Sequence, residues 1–567
     1  MSVARVMGAT VDGVAARPVE VQCALADGLP SFAIIGLADK AVSEARERVR
    51  AALGAIGVPL PPRRISVSLV PADLPKAGAG LDLPIALALL SALDLLPRAA
   101  LDDALVVGEL ALDGALLPPK GLLLVAIAAL AAQKRLVLPA SGLAQLTPLD
   151  GLEAVAAANL AGLLTSLREG RPIRIGAAGP PPGGGAASSS ARAPDHARHL
   201  PTASAKAGAT PAAPTGPRAA AAGAHAGHAG ERSAASPAAE PPDPAPDLAD
   251  VKGQERGRRA LEIAAAGRHH ILMIGPPGAG KSMLAERLPG LLPPLERDAH
   301  LEVLAIHAAA GHVGEVLSRR PPFRHPHHTA SVAAIIGGGT GAGPGEISLA
   351  HHGVLFLDEL PEFSRPVLEG LREPLETGHV TIARANALNV FPARFLLVAA
   401  ANPCRCGHAH GGGPGCGQAP RCSERYLGRL SGPLLDRFDL RLSLAPVPLR
   451  ELASIPHGET TATVAARVAE ARRRQDARWR DLAPVTTNAD ARGRVAESRL
   501  APAADARDML LEAAERLGFS ARGFGRILRV ARTIADLEES EKITAAHMAE
   551  AISYRLPATA RPAPLPC

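Results

Sequence analysis

The sequence predicts a multidomain α/β protein, and three observations support this fold class. The chain has 567 residues, which is too long for one compact domain. Strand and helix patterns alternate in two regions, and a long segment rich in Ala, Pro and Gly separates them. In the second region a glycine-rich turn lies between an apolar strand and a helix, which is typical of a parallel α/β sheet.

Residues 1–172 are predicted to form an α/β or α+β domain. The stretch ADKAVSEARERVRAALGAIG has the apolar spacing of an amphipathic helix, and RRISVSLVP alternates like a strand. LDLPIALALLSAL predicts a second helix. DALVVGELALDG predicts a strand that turns at Asp113 and Gly114.

Residues 173–247 are predicted to be a disordered linker. This segment consists mainly of Ala, Pro, Gly, Ser and His, with almost no Leu, Ile or Val. Such a composition buries too little apolar surface to offset the entropy of ordering the chain.

Two further regions follow the linker. Residues 248–445 have the strand and helix signals of a second α/β domain. Residues 448–558 are rich in helix signals, including VAARVAEARRRQDARW and ARDMLLEAAERLGFSARGFGRILRVARTIADL, and they predict a helical lid on that domain.

Composition restricts the class of protein only weakly. The net charge of +6 is mild for this length and permits an anionic partner without requiring one. The N-terminus lacks an apolar secretory core. The longest apolar runs, LPIALALLSALDLLP and GLLLVAIAALAA, fall short of the ~20 residues that span a bilayer. We therefore expect buried helices, no membrane partner and a cytoplasmic protein.

The strongest motif is HHILMIGPPGAGKSMLAERL, in which an apolar strand, His270 to Ile274, leads into a phosphate-binding loop and a helix. Backbone N–H groups of such a loop surround the phosphates of ATP. Lys281 would reach the β- and γ-phosphates, and the Ser282 hydroxyl would bind Mg²⁺. The predicted cofactor-binding residues are Gly275, Pro276, Pro277, Gly278, Ala279, Gly280, Lys281 and Ser282.

An acidic pair follows the next apolar strand, in GVLFLDELPEF. Asp358 and Glu359 come directly after Val354 to Leu357, at the strand end where ligands bind in open α/β sheets. Asp358 is suited to the Mg²⁺ shell, and Glu359 to polarising the water that attacks the γ-phosphate. The alternative is a solvated acidic pair.

Three more polar residues complete the predicted catalytic set. Asn402 ends the strand in FLLVAAANP, where its amide would orient the attacking water. Arg437, in RLSGPLLDRFDL, would stabilise transition-state charge on the nucleotide of a neighbouring subunit. Its alternative role is a salt bridge with Asp436 or Asp439.

Arg522, in SARGFGRILRVARTI, lies near the start of a predicted helix in the lid. There it would close over the phosphates of its own chain. Arg526 and Arg529 compete for this role, and the alternative is a basic helix face in solvent.

The stretch HVTIARANALNV predicts a β-hairpin, because apolar and polar residues alternate on both sides of a turn at Ala385 and Asn386. Arg384 lies at that turn, and the chain then enters the buried strand that ends at Asn402. An arginine at this tip could contact phosphates of DNA or could simply be exposed to solvent.

Four of the six cysteines lie between residues 404 and 422 in the spacing C-x-C-x9-C-x5-C. Such clustering suits a metal site or a reduced loop better than a disulfide framework. Cys404, Cys406, Cys416 and Cys422 are candidate Zn²⁺ ligands, with His408 or His410 as substitutes, although common zinc modules use C-x2-C pairs.

Taken in order, these motifs resemble the AAA+ ATPases, and the match is closest to magnesium-chelatase-like proteins of the ComM/YifB family. The segments that carry the resemblance are GPPGAGKSMLAERLPGLLPPL, FRHPHHTASVAAIIGGGTGAGPGEISLAHHGVLFLDELPEF and RLSGPLLDRFDL. The N-terminal VDGVAARPVEVQCALADGLPSFAIIGLADKAVSEARERVRAAL resembles the first domain of that family, and RILRVARTIADL its C-terminal lid. The resemblance covers nearly everything except the linker.

This resemblance implies a hexameric ring that hydrolyses ATP and moves on DNA, as branch-migration helicases do in natural transformation. The hairpin resembles the pre-sensor hairpin of minichromosome-maintenance helicases, whose basic tip, here Arg384, points into the ring channel. HHTASVAAIIGGGTGAGPGEISLA resembles a second channel element, the helix-2 insertion. Relatives vary in the clustered cysteines, so the ATPase is not expected to require zinc.

The first domain resembles the Lon protease catalytic fold without its chemistry. No serine occurs from Pro71 to Leu90, where the nucleophile would lie, so Lys76 and Lys120 have no nucleophile to activate. We interpret this domain as a non-proteolytic scaffold or as a module that binds a protein partner.

Three other functions stay open at this stage. The first is the motor of a metal chelatase that remodels a protein partner, although such motors begin at the AAA+ core. The second is an ATP-dependent protease, which the missing serine disfavours. The third is a nucleotide-gated binding module with little turnover, which the intact Asp358 and Glu359 disfavour.

Overall fold

A computed structural model describes most of the chain outside the predicted linker. The described residues are 3–36, 39–76, 78–169, 173–175, 246–312, 314, 318–339, 343–384, 387–407, 416–418, 420–448, 454–500 and 502–555. The predicted linker therefore lies largely outside the described residues. Its predicted start is too early, because Ile173–Arg174 pairs with a strand of the first domain.

The N-terminal region combines strands and helices, as the sequence predicts. Its strands are β1 Val3–Asp12, β2 Ala15–Ala26, β3 Ser31–Ile35, β4 Arg64–Val70, β5 Ala104–Val106, β6 Glu109–Leu110, β7 Leu116–Leu117, β8 Arg135–Pro139, β9 Glu153–Ala157 and β10 Ile173–Arg174. Its helices are α1 Lys40–Ala55, α2 Asp82–Ala92, α3 Leu122–Ala131 and α4 Leu160–Glu169.

Two sheets form this region, in the orders β1-β2-β4-β3 and β10-β9-β8-β5, and both are mixed parallel and antiparallel. Helix α2 is buried along its whole length, which explains why its sequence is apolar on every face. A short β6–β7 ladder encloses the turn at Asp113 and Gly114. The apolar runs are thus core helices, and none of the helices in the described ranges is long and apolar enough to cross a membrane.

The second α/β region contains most of the remaining strands. Its elements are α5 Glu255–Gly267, β11 Ile271–Ile274, α6 Lys281–Leu291, α7 Arg297–Ala310, β12 Phe323–Arg324, α8 Val332–Ile336, β13 Gly337–Gly338, β14 Gly343–Pro344, α9 Glu346–Leu349, β15 Val354–Leu357, α10 Arg365–Gly370, α11 Arg372–Thr377, β16 His379–Arg384, β17 Ala387–Pro392, β18 Leu396–Ala401, α12 Arg421–Leu427, α13 Gly432–Leu435 and β19 Leu440–Ser443.

Its central sheet is parallel throughout, in the order β12-β15-β18-β11-β19. Strands β15 and β18 are fully buried, so they are continuous apolar runs in the sequence. Parallel strands bring their carboxyl ends to one edge of the sheet. That edge, named here the carboxyl edge, carries the residues that follow β11, β15 and β18. The opposite edge is named the amino edge.

The C-terminal region is helical, as the sequence predicts. Its helices are α14 Thr461–Trp479, α15 Arg494–Arg499, α16 Ala504–Leu517, α17 Ala521–Leu537 and α18 Ala545–Ser553. Helices α14 and α17 pack against α5. An ion pair between the half-buried Arg478 and the buried Asp536, with an N···O distance of 2.6 Å, joins α14 to α17. The helical region is therefore anchored to the central sheet through α5.

The N-terminal region contacts the second region through α3 and α7. Buried side chains of both helices, among them Leu122, Val303 and Leu304, share one apolar cluster. The Arg297 guanidinium also donates to the Asp150 carbonyl over 2.9 Å. One face of the first domain is therefore already covered by the same chain.

Candidate nucleotide-binding site

The phosphate-binding loop is fixed to the sheet at Gly275. Its N–H donates to the Ala401 carbonyl at the end of β18 over 3.1 Å. A Cβ atom at Gly275 would lie 2.6 Å from the Leu444 carbonyl oxygen, so the backbone passes too closely for any side chain. Gly278 and Gly280 have φ values of 78° and 82°, which glycine adopts without strain.

Helix α6 begins at Lys281, directly after this loop. The first N–H groups of a helix lack intrahelical partners, and the helix dipole places partial positive charge there. A phosphate is the ligand that such a loop and helix start bind best. The predicted loop residues Gly275 to Ser282 therefore have the backbone geometry of a phosphate site.

The Lys281 ammonium lies inside the loop. Its Nζ donates to the carbonyls of Gly275 over 2.7 Å and Pro276 over 2.9 Å, and to Asn402 Oδ1 over 3.2 Å. Burial lowers the pKa of Lys281, and the carboxylates of Asp358 and Glu359 oppose that shift. These neutral oxygens are weaker partners than a phosphate oxygen would be, so a nucleotide can displace them.

The two predicted Mg²⁺ ligands, Ser282 and Asp358, are in direct contact. Ser282 Oγ donates to Asp358 Oδ2 over 2.8 Å, and Asp358 Oδ1 accepts the Glu359 N–H over 2.8 Å. A hydroxyl and a carboxylate side by side are the protein ligands that Mg²⁺ takes when it also binds nucleotide phosphates. This donor set therefore fits the predicted ion.

Glu359 has a φ of 50°, a left-handed conformation that is uncommon for a side chain of this size. Its Oε2 lies 3.4 Å from Nδ1 of His328, just beyond β12. No motif in the sequence predicts that His328 lies beside Glu359. The only signal was the histidine-rich FRHPHHTAS, and the contact depends on the parallel pairing of β12 with β15.

The two predicted arginines, Arg437 and Arg522, lie away from the phosphate site of this chain. Arg437 precedes β19 and is buried, and its guanidinium pairs with Glu376. Neither predicted alternative partner is correct. Asp436 lies near Arg441 and Arg555, and Asp439 pairs with Arg526.

Arg437 lies at the amino edge because β19 is parallel to β11. At ~3.3 Å per residue, four-residue strands separate the two edges by about 13 Å. Burial lowers the pKa of Arg437, and Arg522 is among the nearby cations that add to this shift. Arg437 therefore lies away from the phosphate site of its own chain.

The prediction that Arg522 closes over the phosphates of its own chain is corrected by the course of α17. Thr533 bonds to His269 over 2.8 Å at the start of β11. Further toward the helix N-terminus, Arg526 pairs with Asp439 over 2.6 Å at the start of β19. Arg522 lies one turn beyond Arg526, at the amino edge near Arg437.

Of the three arginines considered in α17, Arg522 is the exposed one. Arg529 is buried and donates to the Ala491 carbonyl, while Arg526 is occupied by Asp439. Among the described residues, Arg522 makes no ion pair. Its side chain is therefore available to a group outside the chain.

The predicted hairpin is present. Strands β16 and β17 pair antiparallel, with Thr381 opposite Val390 and Arg384 opposite Ala387. The turn residues Ala385 and Asn386 and the Arg384 side chain lie outside the described part of the structure.

The four clustered cysteines come together. The Sγ atoms of Cys404, Cys406, Cys416 and Cys422 all lie within 4.8 Å of one another, and those of Cys404 and Cys406 are 3.1 Å apart. His408 and His410, the predicted substitutes, lie outside the described residues.

The fold and the site together define a P-loop nucleotide hydrolase with the architecture of AAA+ proteins. Models of three protein families match consecutive parts of the chain. "Subunit ChlI of Mg-chelatase" matches residues 19–142, "Magnesium chelatase, subunit ChlI" residues 247–452, and its "C-terminal" model residues 458–555.

Individual relatives match over nearly the whole length. Protein YifB of Salmonella typhimurium is 40% identical over 98% of this chain and 97% of its own length. Competence protein ComM of Haemophilus influenzae is 38% identical over 98% of each chain. The chain therefore belongs to the ComM/YifB family of magnesium-chelatase-like AAA+ proteins. Members of this family are ATPases that use ATP and Mg²⁺, in agreement with the site.

Proposed function

We propose that this protein is a Mg²⁺-dependent ATP-driven motor that assembles into a homo-hexameric ring and acts on DNA. Its activity would be helicase or branch migration in natural transformation or recombination. The name of the Haemophilus influenzae relative, competence protein ComM, agrees with this role. We also keep the prediction that the protein works in the cytoplasm.

One observation carries the proposal: the hairpin is continuous with the strand that contacts the nucleotide site. Strand β17 ends at Pro392, and β18 begins at Leu396 and leads to Asn402, which accepts a hydrogen bond from Lys281. The Ala393 N–H also donates to the Gly378 carbonyl over 2.8 Å, which closes the hairpin base. A movement of Asn402 on ATP hydrolysis can therefore reach the hairpin through buried β18 and a three-residue connection.

The predicted helix-2 insertion packs against the same hairpin. A Cβ atom at Gly337 of β13 would lie 2.8 Å from Ile382 Cδ1 of β16, so the two elements are in close contact. Ile335 of α8 and Val380 of β16 share one buried apolar cluster. Both predicted channel elements therefore belong to one packed unit, which supports a concerted motion on a bound strand.

A ring assembly would give a role to the two arginines at the amino edge. Arg437 and Arg522 lie near each other there, away from the P-loop of their own chain. In a head-to-tail ring, one subunit's amino edge can face the next subunit's carboxyl edge. Both arginines would then act on the neighbour's γ-phosphate, where positive charge stabilises the transition state.

The proposal is tested by ATP turnover with and without single-stranded and forked DNA. We expect DNA to stimulate turnover of the wild type and of a control, Arg516→Ala, whose side chain is exposed on α16. Arg384→Ala should keep basal turnover and lose the stimulation, because a channel arginine contacts phosphates without reading sequence. If DNA leaves the turnover of oligomeric wild-type protein unchanged, the DNA motor is wrong.

In that event the chelatase-like alternative, a motor that remodels a protein partner, becomes the leading function. The three family models carry the chelatase name, which is the observation in its favour. A partner would bind the N-terminal domain on a surface other than the one α7 covers.

We also propose that the N-terminal domain is a non-proteolytic, Lon-like scaffold. Lys76 is fully buried, its ammonium bonds to the Pro71 carbonyl, and burial lowers its pKa. No serine lies between residues 71 and 90 for this lysine to activate. A peptidase assay with ATP should show no cleavage above that of buffer.

A further inference from the structure

The cysteine cluster forms a compact shell of four thiols next to the nucleotide site. Cys404 and Cys406 follow Asn402 and Pro403, while Cys416 precedes α12 and Cys422 lies in its first turn. Cys404 is buried, Cys416 and Cys422 are half-buried and Cys406 is exposed. Residues far apart along this loop thus place their sulfur atoms in one small volume.

The sulfur separations match a tetrahedral metal centre. A Zn–S bond of ~2.3 Å in a tetrahedron places the sulfur atoms about 3.8 Å apart. The observed limit of 4.8 Å, and the 3.1 Å between Cys404 and Cys406, lie close to that spacing on either side. Four thiolates in tetrahedral geometry select Zn²⁺ or iron among common metals.

Packing connects this shell to the P-loop. The Gly407 N–H donates to the Cys404 carbonyl over 3.0 Å, which forms a turn around the first two thiols. Gly407 has a φ of 80°, and a Cβ atom there would lie 3.1 Å from Pro277 Cδ. The turn that carries two of the cysteines therefore rests on the loop that binds phosphates.

A second connection reaches Asn402. Ser423 Oγ, one residue beyond Cys422, donates to the Pro403 carbonyl over 2.6 Å. The Cys422 N–H donates to the Gln418 carbonyl over 2.9 Å. Helix α12 is thereby tied to the residue next to Asn402, and a metal would hold both ends of the loop in place.

We propose that Cys404, Cys406, Cys416 and Cys422 bind one structural Zn²⁺ ion, which steadies the loop between Asn402 and α12 against the P-loop. Each thiol loses its proton on binding, and the metal completes a closed shell without an open position for catalysis. The ion goes beyond the proposed motor function, since its presence depends neither on ATP hydrolysis nor on DNA.

The first experiment measures metal content. The full chain is purified under reducing conditions with added Zn²⁺, and zinc and iron are quantified per chain. We expect about one zinc per chain in the wild type and in Cys567→Ser, a control at the last residue of the sequence. Cys416→Ser and Cys422→Ser should hold less than about a tenth of an ion. Metal-free wild type, iron in place of zinc, or unchanged zinc in the variants would overturn the site.

A second measurement avoids dependence on variants that fail to fold. Co²⁺ added to metal-free wild-type protein should produce the charge-transfer and d–d absorption bands of tetrahedral thiolate coordination, at one equivalent. Octahedral Co²⁺ spectra, or no thiolate bands, would contradict the four-cysteine shell.

The link to the P-loop has its own readout. Removing the metal from wild-type protein should raise the Kd of a fluorescent ADP analogue by about threefold, less than the ~10–100-fold effects of supporting residues that bond directly to metal ligands. The effect is modest because the P-loop contacts of Gly275 and Lys281 do not involve the cysteines. An unchanged Kd after full metal loss would refute the coupling to the P-loop.

Discussion

The two edges of the central sheet differ in how their candidate catalytic side chains are arranged within one chain. At the carboxyl edge, Lys281, Ser282, Asp358 and Asn402 already contact one another within a single chain. At the amino edge, Arg437 is covered by Glu376 and lies away from any phosphate site of its own chain. One chain thus brings its phosphate-binding residues together at one edge and holds Arg437 away from them at the other. In the ring proposed above, turnover would require contact between copies.

The largest effect should come from the amino edge. Arg437→Ala is expected to lower ATP turnover by about 10³-fold, because an arginine finger stabilises transition-state charge. The Kd for ADP should change little, since Arg437 does not contact its own P-loop. Turnover and ADP binding are measured side by side, with Arg516→Ala as the exposed control.

Mixing variants sharpens this test. In rings assembled from equal amounts of Arg437→Ala and Lys281→Ala subunits, about a quarter of the interfaces regain both residues. We therefore expect the mixture to recover turnover that neither variant has alone. A mixture that stays inactive while it assembles would show that Arg437 does not act across an interface.

The second-largest effect should come from the carboxyl edge. Lys281→Ala should lower turnover by about 10²-fold or more, as loss of one preorganised hydrogen-bond donor does at other transition states. In contrast to Arg437→Ala, it should also weaken nucleotide binding by the isolated chain, because Lys281 lies inside the loop. Equal ADP affinities of the two variants, measured by titration, would remove the distinction between the edges.

Low pH should reduce the free energy of unfolding through His270, which lies at the amino edge. His270 precedes β11, and its Nδ1 accepts the Leu397 N–H over 3.0 Å, which requires a neutral ring. Burial lowers the pKa of His270 to about 4; Asp439 opposes this shift, and Arg526, Arg268 and His269 add to it.

An unfolded histidine has a pKa of ~6.5, so between about pH 6.5 and 4 the unfolded state binds more protons. Stability is therefore retained above that window and is lost as the pH falls through it. Between pH 7 and pH 5 the loss amounts to about 2 kcal/mol. His270→Gln, whose amide oxygen can still accept the N–H, should show a smaller loss in urea unfolding. Identical pH dependence in both proteins would argue against His270.

The smallest effect concerns His328 beside Glu359. A polar contact exposed to this degree contributes little, so His328→Ala should change basal turnover by about two- to fivefold. We expect an increase, because Glu359 becomes free to orient water. His327→Ala is the matched control, since its ring bonds to Thr329. Unchanged turnover in His328→Ala would show that His328 does not restrain Glu359, and the prediction would be wrong.

Short-range signals made much of this structure predictable. The strand Val354–Leu357, the strand before Asn402 and the hairpin from His379 agree with their predicted positions to within a few residues. Their periodicity and their neighbouring glycines and polar residues are local properties of the chain. The P-loop was predictable for the same reason, because its glycines lie side by side in the sequence.

The sequence did not predict partners and locations that depend on contacts between distant segments of the chain. Glu376 lies 61 residues from Arg437, and no local pattern links them. The location of Arg522 depends on the direction in which α17 crosses the sheet, which its amphipathic pattern leaves undetermined. His328 meets Glu359 only because β12 pairs with β15.

The sequence by itself determined the class of this protein: the order and spacing of its motifs indicate a P-loop AAA+ protein of the ComM/YifB family. Tertiary structure alone decided which charges face the chain's own nucleotide and which face away. It also decided that four cysteines with irregular spacing share one shell. The physical reason is that binding loops are encoded by adjacent residues, while charge pairing and metal coordination depend on how distant segments pack.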